Sequence, residues 1–226
     1  MAQTAAPAPL PNPLIVPLGD HGLLVRFADA LSDRANLAAI DFARRLRAQL
    51  PEGVTEIDPN LVSVLLKYDP ARIGFERLAG EVSLLIAQPG GRKGPRPKRH
   101  TIAVSFGGED GPDLEAVAKK LKLTPKAFIA AHNAYPLRVL NTGFAPGFVY
   151  CGFHPEQLEL PRQESVRPMV PAGTILFAAG QTAITATAIP TGWHVIGRTD
   201  FRNFDPRQDP PTRLSEGDEI VFEAKT

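Results

Sequence analysis

The sequence contains little cysteine, little tryptophan and almost no net charge. Cys151 and Trp193 are the only residues of their kinds, and 25 basic residues against 24 acidic ones give a net charge of +1. A single cysteine excludes an intramolecular disulfide and favours a cytoplasmic protein. With charge so closely balanced, no overall electrostatic field selects nucleic acid or an acidic membrane as a partner.

Long hydrophobic runs are also missing. No segment approaches the ~20 apolar residues of a membrane-spanning helix. The opening MAQTAAPAPLPNP lacks the basic start and apolar stretch of a signal peptide. Because this opening is rich in alanine and proline, we predict a disordered tail over residues 1–13.

The common motifs of nucleotide, metal and nucleophile chemistry do not occur. The sequence has no Gly-x-x-x-x-Gly-Lys-Ser/Thr phosphate loop, no paired Cys or His spacing of a structural zinc site and no Gly-x-Ser-x-Gly elbow. A Met-Lys-Met biotin-attachment motif is also lacking. Cys151 lies in an apolar strand, so we predict a packing role for it and no metal site on this chain.

Residues 14–87 are predicted to form a small α+β domain. Ser32 or Asp33 is a suitable N-cap for the first of two amphipathic helices, predicted at about 33–50 and 74–87. Apolar runs bounded by turn residues predict strands at 14–18, 23–27, 54–57 and 61–68. The order ββαββα predicts helices packed on one face of a sheet.

Residues 88–99 are predicted to be a basic Pro/Gly linker, because their prolines and glycines oppose any packed element. The run has no aromatic residue for base stacking, which favours a solvated linker over nucleic-acid contact.

The remaining residues, 100–226, are predicted to be mainly β. Two short helices, capped by Asp113 and Thr124, follow a first strand. Short strands separated by glycine and proline turns are predicted at 102–106, 137–140, 148–151, 174–178, 183–189, 193–196 and 219–223. This pattern predicts a barrel or a sandwich.

Several polar residues of this second domain are candidates for binding or catalysis. His132 ends a helix beside Asn133, where a histidine is a cap, a core hydrogen-bonding group or a proton-transfer group. Gln181 and Thr182 follow Gly180, and either form a turn or meet a polar ligand.

A second group of candidates lies on and near strand ends. Arg198, followed by Thr199, suits a carboxylate or phosphate, unless it forms an ion pair with Asp200 or Asp205. Arg162 and Arg167 are surface charges or ligand contacts, and Trp193 packs in the core or stacks on a ligand.

Five segments in order resemble one family: GFAPGFVYCG (143–152), PAGT (171–174), GQTAI (180–184), GWHVIGRT (192–199) and FDP (204–206). They are similar to the B component of bacterial ATP-dependent 5-oxoprolinases. The same family includes the first subunit of allophanate hydrolases, kinase-inhibitor proteins and the carboxyltransferase domain of urea carboxylase. GGEDGPDLEAVA and GDHGLLVRF fit the pattern too, so the resemblance extends over nearly the whole chain.

The resemblance implies an α+β N-terminal domain followed by a mainly-β, cyclophilin-like barrel domain. It implies a hydrolase that opens 5-oxo-L-proline to L-glutamate with ATP hydrolysis, together with a C-type partner protein and an A-type component. ATP would be bound by the complex. Two alternatives remain within the family: a carboxyltransferase component of a biotin-dependent urea or allophanate system, and a non-catalytic inhibitor of a sensor kinase.

Roles for the candidates follow from this resemblance as hypotheses. His132 would be the general acid/base, and Arg198 would neutralise a substrate carboxylate or a phosphorylated intermediate. Gln181 and Thr182 would bind the lactam or carboxylate. Other substrate contacts would come from Thr199, Trp193 and Arg167.

The chain departs from the family pattern at residues 185–191. The family's Tyr-Pro after the Gln-Thr-x-Ile segment is Thr185-Ala186 here, and its Ser-Pro-Gly-Gly-Trp is Ile-Pro-Thr-Gly-Trp. The sequence therefore has one tyrosine hydroxyl fewer and one glycine fewer in this loop, and we expect any change of specificity to lie here.

Overall fold

The computed structural model describes residues 12–88 and 96–225. The chain divides into two compact units, Met1–Pro95 and Arg96–Thr226. Most of the predicted tail (1–11) and of the predicted linker (89–95) lies outside the described residues. Among the described helices, even the longest has 16 residues, and none has the length and apolar character to cross a bilayer.

The first unit is a four-stranded antiparallel sheet with two helices, and it confirms the predicted ββαββα order. The sheet order is β1-β2-β4-β3. Ser32 Oγ accepts the backbone N–H of Ala35 at 3.2 Å and caps the first helix. The elements are β1 (Leu14–Leu18), β2 (Gly22–Arg26), α1 (Asp33–Ala48), β3 (Val54–Pro59), β4 (Ser63–Tyr68) and α2 (Phe75–Ala87).

The core of the first unit follows from two periodicities. Alternate residues of β2 and β4 point inward, so Leu23, Val25 and Leu66 are fully buried. Residues three to four apart on the two helices face the same sheet and are buried against it, among them Phe42, Leu46, Leu78 and Val82. This unit is thus stabilised mainly by apolar burial.

The second unit is a closed seven-stranded barrel, which confirms the barrel that the resemblance implies. The strand order around the barrel is β10-β7-β6-β13-β5-β12-β9. The first strand pairs in parallel with the last, from Glu219↔Arg99 to Ala224↔Val104. The elements are β5 (Arg99–Phe106), α3 (Leu114–Lys120), α4 (Pro125–His132), β6 (Leu137–Thr142), β7 (Val149–Gly152), β8 (Arg167–Val170), β9 (Thr174–Ala178), β10 (Gln181–Ile184), β11 (Ile189–Thr191), β12 (His194–Arg198) and β13 (Glu219–Ala224).

The predicted strand 183–189 is wrong, because the chain leaves the barrel after Ile184. Thr185 Oγ1 donates to Pro171 O at 2.8 Å and accepts the backbone N–H of Thr174 at 2.9 Å, which turns the backbone out of the sheet. Strand pairing resumes only in β11, which forms a two-stranded ribbon with the unpredicted β8. The departing loop therefore connects the barrel wall to this ribbon.

The barrel wall packs apolar side chains on both of its faces. Along β7, Val149 and Cys151 point into the barrel core, while Phe148 and Tyr150 lie on the outer face. The outer layer also contains Val170, Leu176, Ala178, Ala183, Ile189, Trp193 and Val195. Successive residues of one strand can therefore serve two different environments.

Asp113 does not cap α3 through its side chain, which corrects the sequence prediction. Its carboxylate instead accepts the backbone N–H of Val195 at 2.7 Å and the Gln163 side-chain amide at 3.0 Å. It also receives the Arg167 guanidinium at 2.9 and 3.0 Å. One carboxylate thus connects the start of α3, the 160–167 segment and β12.

Replacing Asp113 with Asn should lower the free energy of unfolding by about 2 kcal/mol, because charge-assisted hydrogen bonds to three donors are weakened together. Thermal unfolding measures the loss. Asp29→Asn is the matched control, since Asp29 forms an exposed ion pair with Arg26 and should change stability by less than about 0.5 kcal/mol. Equal effects of the two substitutions would contradict this role for Asp113.

Candidate functional site

His132, the last residue of α4, lies in the barrel interior and shares a threonine with a second histidine. Its Nε2 is 2.8 Å from Thr182 Oγ1. His154 Nε2 reaches the same oxygen at 2.8 Å, and the two imidazole ring centroids are 4.7 Å apart. His132 Nδ1 lies 2.7 Å from Asn133 Oδ1. We call Asn133, His132, Thr182 and His154 the histidine–threonine network.

The hydrogen bonds of this network have one consistent direction. An amide oxygen only accepts, so His132 Nδ1 carries the proton that is donated to Asn133. The neutral imidazole then has an unprotonated Nε2, which accepts the Thr182 O–H. A hydroxyl has one proton, and therefore His154 Nε2–H donates to Thr182 Oγ1.

Both histidines are held neutral by their surroundings. Burial lowers the pKa of His132 to about 4, with the Asn133 hydrogen bond acting in the opposite direction. Burial, and then repulsion from His132, lowers the pKa of His154 to about 3. Four aromatic rings surround the His132 imidazole at centroid distances of 5.3–6.2 Å, those of Phe106, Phe128, Phe177 and Phe222.

This geometry favours the core hydrogen-bonding interpretation of His132, which is 1% exposed. Its catalytic role stays a prediction. His154 was not a candidate in the sequence reasoning, because it follows a glycine-rich turn without any motif. The one sequence signal that could have indicated a site role for His154 is its position next to an apolar strand. A neutral histidine buried there needs a hydrogen-bond partner.

Gln181 lies on the opposite face of β10 from Thr182. Thr182 pairs with Cys151 and points into the barrel, so its neighbour Gln181 points outward beside Gly152. A Cβ atom placed on Gly152 would lie 3.5 Å from Gln181 Cγ. Gln181 is 7% exposed, and its Oε1 is buried without a hydrogen-bond partner in the described part of the chain.

An aromatic shelf, formed by Phe144, Phe148, Tyr150 and Trp193, runs along this outer face. Successive ring centroids are 5.6, 4.8 and 6.0 Å apart. Trp193 is 6% exposed at one end, whereas Phe144 is 73% exposed at the other. Trp193 thus packs in the outer apolar layer, and its ligand contact stays a prediction.

Arg162 lies above the shelf, with its guanidinium carbon 5.5 Å from the centre of the Trp193 ring. The exposed guanidinium forms no ion pair within residues 12–88 and 96–225. The sequence left Arg162 as either a surface charge or a ligand contact. Its position over the indole could not be predicted, because it depends on the path of the loop.

Arg198 is exposed at the far end of β12 and has neither of the anticipated ion-pair partners. Asp200 pairs with Lys225 at 2.6 Å, and Asp205 pairs with Arg207 at 2.9 Å. His194 is level with Phe177 in the neighbouring strand, and Arg198 is level with Thr174. The two levels are three residues of β9 apart, so the structure separates Arg198 from the Trp193 end of β12 by roughly 10 Å, at ~3.3 Å per residue.

The polar atoms of Thr199 and Arg167 are engaged by the protein. Thr199 Oγ1 donates to Ala103 O at 2.7 Å and accepts the Phe201 N–H at 3.1 Å. Arg167 binds Asp113, as described above. Their substrate contacts stay predictions. Neither residue has a contact with Gln181.

Cys151 occupies the predicted packing position. It is fully buried in the barrel core, and burial raises the pKa of its thiol. A protonated, enclosed thiol is a poor nucleophile. No group of three His, Cys, Asp or Glu side chains in the described ranges is arranged to hold a metal ion.

A groove of about 680 Å³ lies among the loops that flank β13. Charges of both signs line it, including Lys98, Arg202, Arg213, Asp205 and Asp209. None of the candidate site residues contributes to its lining. It is therefore separate from the shelf and from the histidine–threonine network.

The chain is similar to a known protein family over most of its length. Residues 13–214 match the family model "Carboxyltransferase domain, subdomain C and D". The chain belongs to this carboxyltransferase-domain family. The match includes both β10 and the aromatic shelf, so the site lies within the part that defines the family.

Relatives agree with this membership. A Bacillus subtilis (strain 168) protein, named as the B component of 5-oxoprolinase, is 33% identical over 215 residues, covering 91% of this chain and 90% of that protein. The solved structure of TTHA0988 has a TM-score of 0.78 and 33% identity, covering 91% of this chain but 40% of that one. Kluyveromyces lactis urea carboxylase shares the fold, with a TM-score of 0.75 at 15% identity over 95% of this chain and 22% of that one.

Proposed function

We propose that this carboxyltransferase-domain chain is the B component of a 5-oxoprolinase, and that the complex opens 5-oxo-L-proline to L-glutamate with hydrolysis of ATP. The observation that carries the proposal is the Oε1 of Gln181, which is buried and has no hydrogen-bond partner among the described residues. A buried acceptor without a donor costs about 1–3 kcal/mol, and rotation of the Gln181 amide toward a lactam N–H removes this cost. The similarity to a Bacillus subtilis 5-oxoprolinase component supports this choice of ligand.

We propose that Thr182, His132 and Trp193 support the action of Gln181. Thr182, held by the two histidines, fixes the backbone of β10 from inside the barrel and so places the Gln181 side chain. The Thr182 hydroxyl connects His132 Nε2 to His154 Nε2, so a general acid/base role for His132 would use that hydroxyl as a relay. Trp193 supplies the apolar floor on which a small ring can rest.

We propose that ATP is a co-substrate of the whole complex, formed with a C-type partner protein and an A-type component. The partial coverage of TTHA0988 supports a need for further protein, because that related chain carries additional sequence on the same polypeptide. Co-expression with adjacent genes for the C-type and A-type proteins should give a complex with 5-oxoproline-dependent ATP hydrolysis. A complex that forms but shows no such activity would reject the proposal.

The two family alternatives give different results in the same preparation. A biotin-dependent carboxyltransferase component would require bicarbonate and would be inhibited by avidin. A sensor-kinase inhibitor would bind a histidine kinase tightly and show no turnover with any C-type partner protein. We expect neither a bicarbonate requirement nor avidin inhibition.

Arg198→Ala should reduce turnover by about 100-fold, the effect of removing one group that stabilises developing negative charge. Arg198 forms no hydrogen bond or ion pair with other described residues, so assembly and thermal stability should not change. The matched control is Arg207→Ala, which breaks only an exposed ion pair with Asp205. Wild-type turnover in Arg198→Ala would assign charge stabilisation to other groups.

A further inference from the structure

We propose that Arg162, Tyr150 and Gln181 form one recognition site on the aromatic shelf, for a small ligand that carries both a carboxylate and an amide N–H. The inference rests on the proposed function and extends it, since 5-oxo-L-proline has both groups on one five-membered ring. Arg162 and Tyr150 would bind the carboxylate, and Gln181 would accept the lactam N–H.

Arg162 is held in place by the backbone around it. The backbone N–H of Ala179 donates to Leu160 O at 2.6 Å, and the backbone N–H of Gln163 donates to Gly192 O at 2.7 Å. His194 Nε2 donates to the carbonyl of Pro161 at 3.0 Å. Three hydrogen bonds within four residues hold this segment against the ends of β9 and β12. The backbone that carries Arg162 is thus fixed beside Trp193.

No carboxylate among the described residues forms an ion pair with Arg162. Asp113 is engaged by Arg167, Gln163 and the backbone of Val195. Glu164 forms no ion pair with Arg162 within the described ranges. The Arg162 guanidinium carbon lies 5.5 Å from the centre of the indole, within the range of a cation–π contact, and a guanidinium so placed has N–H donors for a carboxylate.

Tyr150 supplies a hydroxyl next to this cation. Its ring lies between those of Phe148 and Trp193, and its side chain is half-buried. In the described part of the chain its hydroxyl has no hydrogen-bond partner. The Tyr150 ring centroid and the Arg162 guanidinium carbon lie 6.0 and 5.5 Å from the centre of the Trp193 ring. Burial raises the pKa of Tyr150, and the positive charge of Arg162 opposes this shift. The tyrosine therefore stays protonated and can donate to an anion.

Gln181 completes the site from the adjacent strand. Ala183 pairs with Tyr150, so Gln181 and Tyr150 are diagonal neighbours on the same outer face, about 7–8 Å apart at Cα. This separation matches the width of a small ring with a substituent. Rotation about χ3 exchanges the Gln181 amide atoms, so the carbonyl can turn toward a ligand donor.

The exposed end of the shelf shows local strain, which is common at binding sites. Phe144 has φ +75°, a left-handed conformation that is unfavourable for a phenylalanine, and its side chain is 73% exposed. Gly147 nearby also has positive φ, and a Cβ there would lie 2.4 Å from Phe204 Cβ. The fold therefore maintains an unfavourable apolar exposure at the end of the shelf opposite Trp193.

Trp193 is the only tryptophan of the chain and lies directly beneath Arg162, so it reports on this site. The test titrates the full chain with three compounds and follows tryptophan fluorescence, with equilibrium dialysis as the second measurement. The compounds are 5-oxo-L-proline, 2-pyrrolidinone without the carboxylate, and 5-oxotetrahydrofuran-2-carboxylate without the N–H. We expect 5-oxo-L-proline to bind most tightly.

Two substitutions should each remove the advantage of one ligand group. Arg162→Gln should weaken the binding of 5-oxo-L-proline by about ten-fold or more and leave the binding of 2-pyrrolidinone unchanged, because only the carboxylate loses its partner. Gln181→Met should weaken the binding of both lactams and leave the binding of the lactone carboxylate unchanged. Tyr150→Phe should weaken the binding of the two compounds that carry a carboxylate only a few-fold. Arg207→Gln is the control and should change none of these affinities.

The outcomes separate this inference from the proposed function. Suppose that Arg162→Gln and Arg207→Gln bind every compound equally, and that their complexes have the same KM for 5-oxo-L-proline. The recognition site is then rejected, even if the complex turns over 5-oxo-L-proline. If the chain shows the expected ligand pattern but the complex never couples 5-oxoproline to ATP hydrolysis, the recognition site stands and the proposed function is rejected.

Discussion

Thr182→Val should destabilise the barrel unit by about 3–5 kcal/mol, because one change leaves two buried imidazole nitrogens without a partner. Valine has nearly the same shape as threonine, so packing is preserved and only the hydroxyl is lost. Both nitrogens lie 2.8 Å from that hydroxyl in a site lined by aromatic rings. Chemical denaturation should show a lower midpoint with an unchanged slope.

Thr55→Val provides the matched control for this prediction. Thr55 is also a strand residue with one hydroxyl hydrogen bond, to Lys67 O at 3.2 Å, but it is exposed. We expect a change of less than about 0.5 kcal/mol there. A similarly small effect at Thr182 would mean that the histidine–threonine network does not stabilise the barrel.

Acidification should destabilise the protein well before its carboxylates are neutralised, since two histidines are buried in the neutral form. Their folded pKa values, about 4 and about 3, lie below the ordinary value of 6.5. The unfolded chain therefore binds protons first as the pH falls. Stability is complete above about pH 6.5 and decreases from there towards pH 4, by on the order of 2 kcal/mol for each histidine at pH 5.

Denaturation midpoints measured between pH 7.5 and 4.5 test this dependence. His154→Gln removes one of the two titrating groups and should reduce the slope of stability against pH between pH 6 and 5 by about half. His21→Gln, at an exposed position of the first unit, should leave the slope unchanged. A slope that is the same in all three proteins would show that the buried histidines do not control acid stability.

Local chemistry made much of the fold predictable. Ser32 and Thr124 are caps of helices that begin within a residue of the predicted start. The short apolar runs around Ile175 and Ile220 became strands as expected, because glycine and proline mark their ends clearly. These signals act over a few residues, and so they are legible in a single sequence.

Pairings over long distances were not predictable. Nothing around Arg99 indicates that it pairs in parallel with Glu219, 120 residues away, although an ion pair joins their side chains. The β8–β11 ribbon was missed because Pro168 and Pro190 oppose a strand prediction, and an edge ribbon tolerates them. Barrel closure depends on such non-local contacts.

The site was partly predictable, and the reason is strand alternation. The sequence predicts Gln181 and Thr182 as a pair of ligand contacts. Adjacent residues of a strand, however, face opposite sides of the barrel wall. Thr182 joins the histidines inside, whereas Gln181 joins the shelf outside. His154 and Arg162 could not be recognised from local patterns, because each acquires its partners through loop paths fixed by tertiary structure.

The central claim is that this chain provides part of the substrate site of a 5-oxoprolinase, and the most direct measurement is product stoichiometry in the reconstituted complex. L-glutamate and ADP should form in a 1:1 ratio from 5-oxo-L-proline and ATP, and both should cease when this chain is omitted. ADP formation that does not depend on 5-oxo-L-proline, or glutamate formation that continues without this chain, would contradict the account.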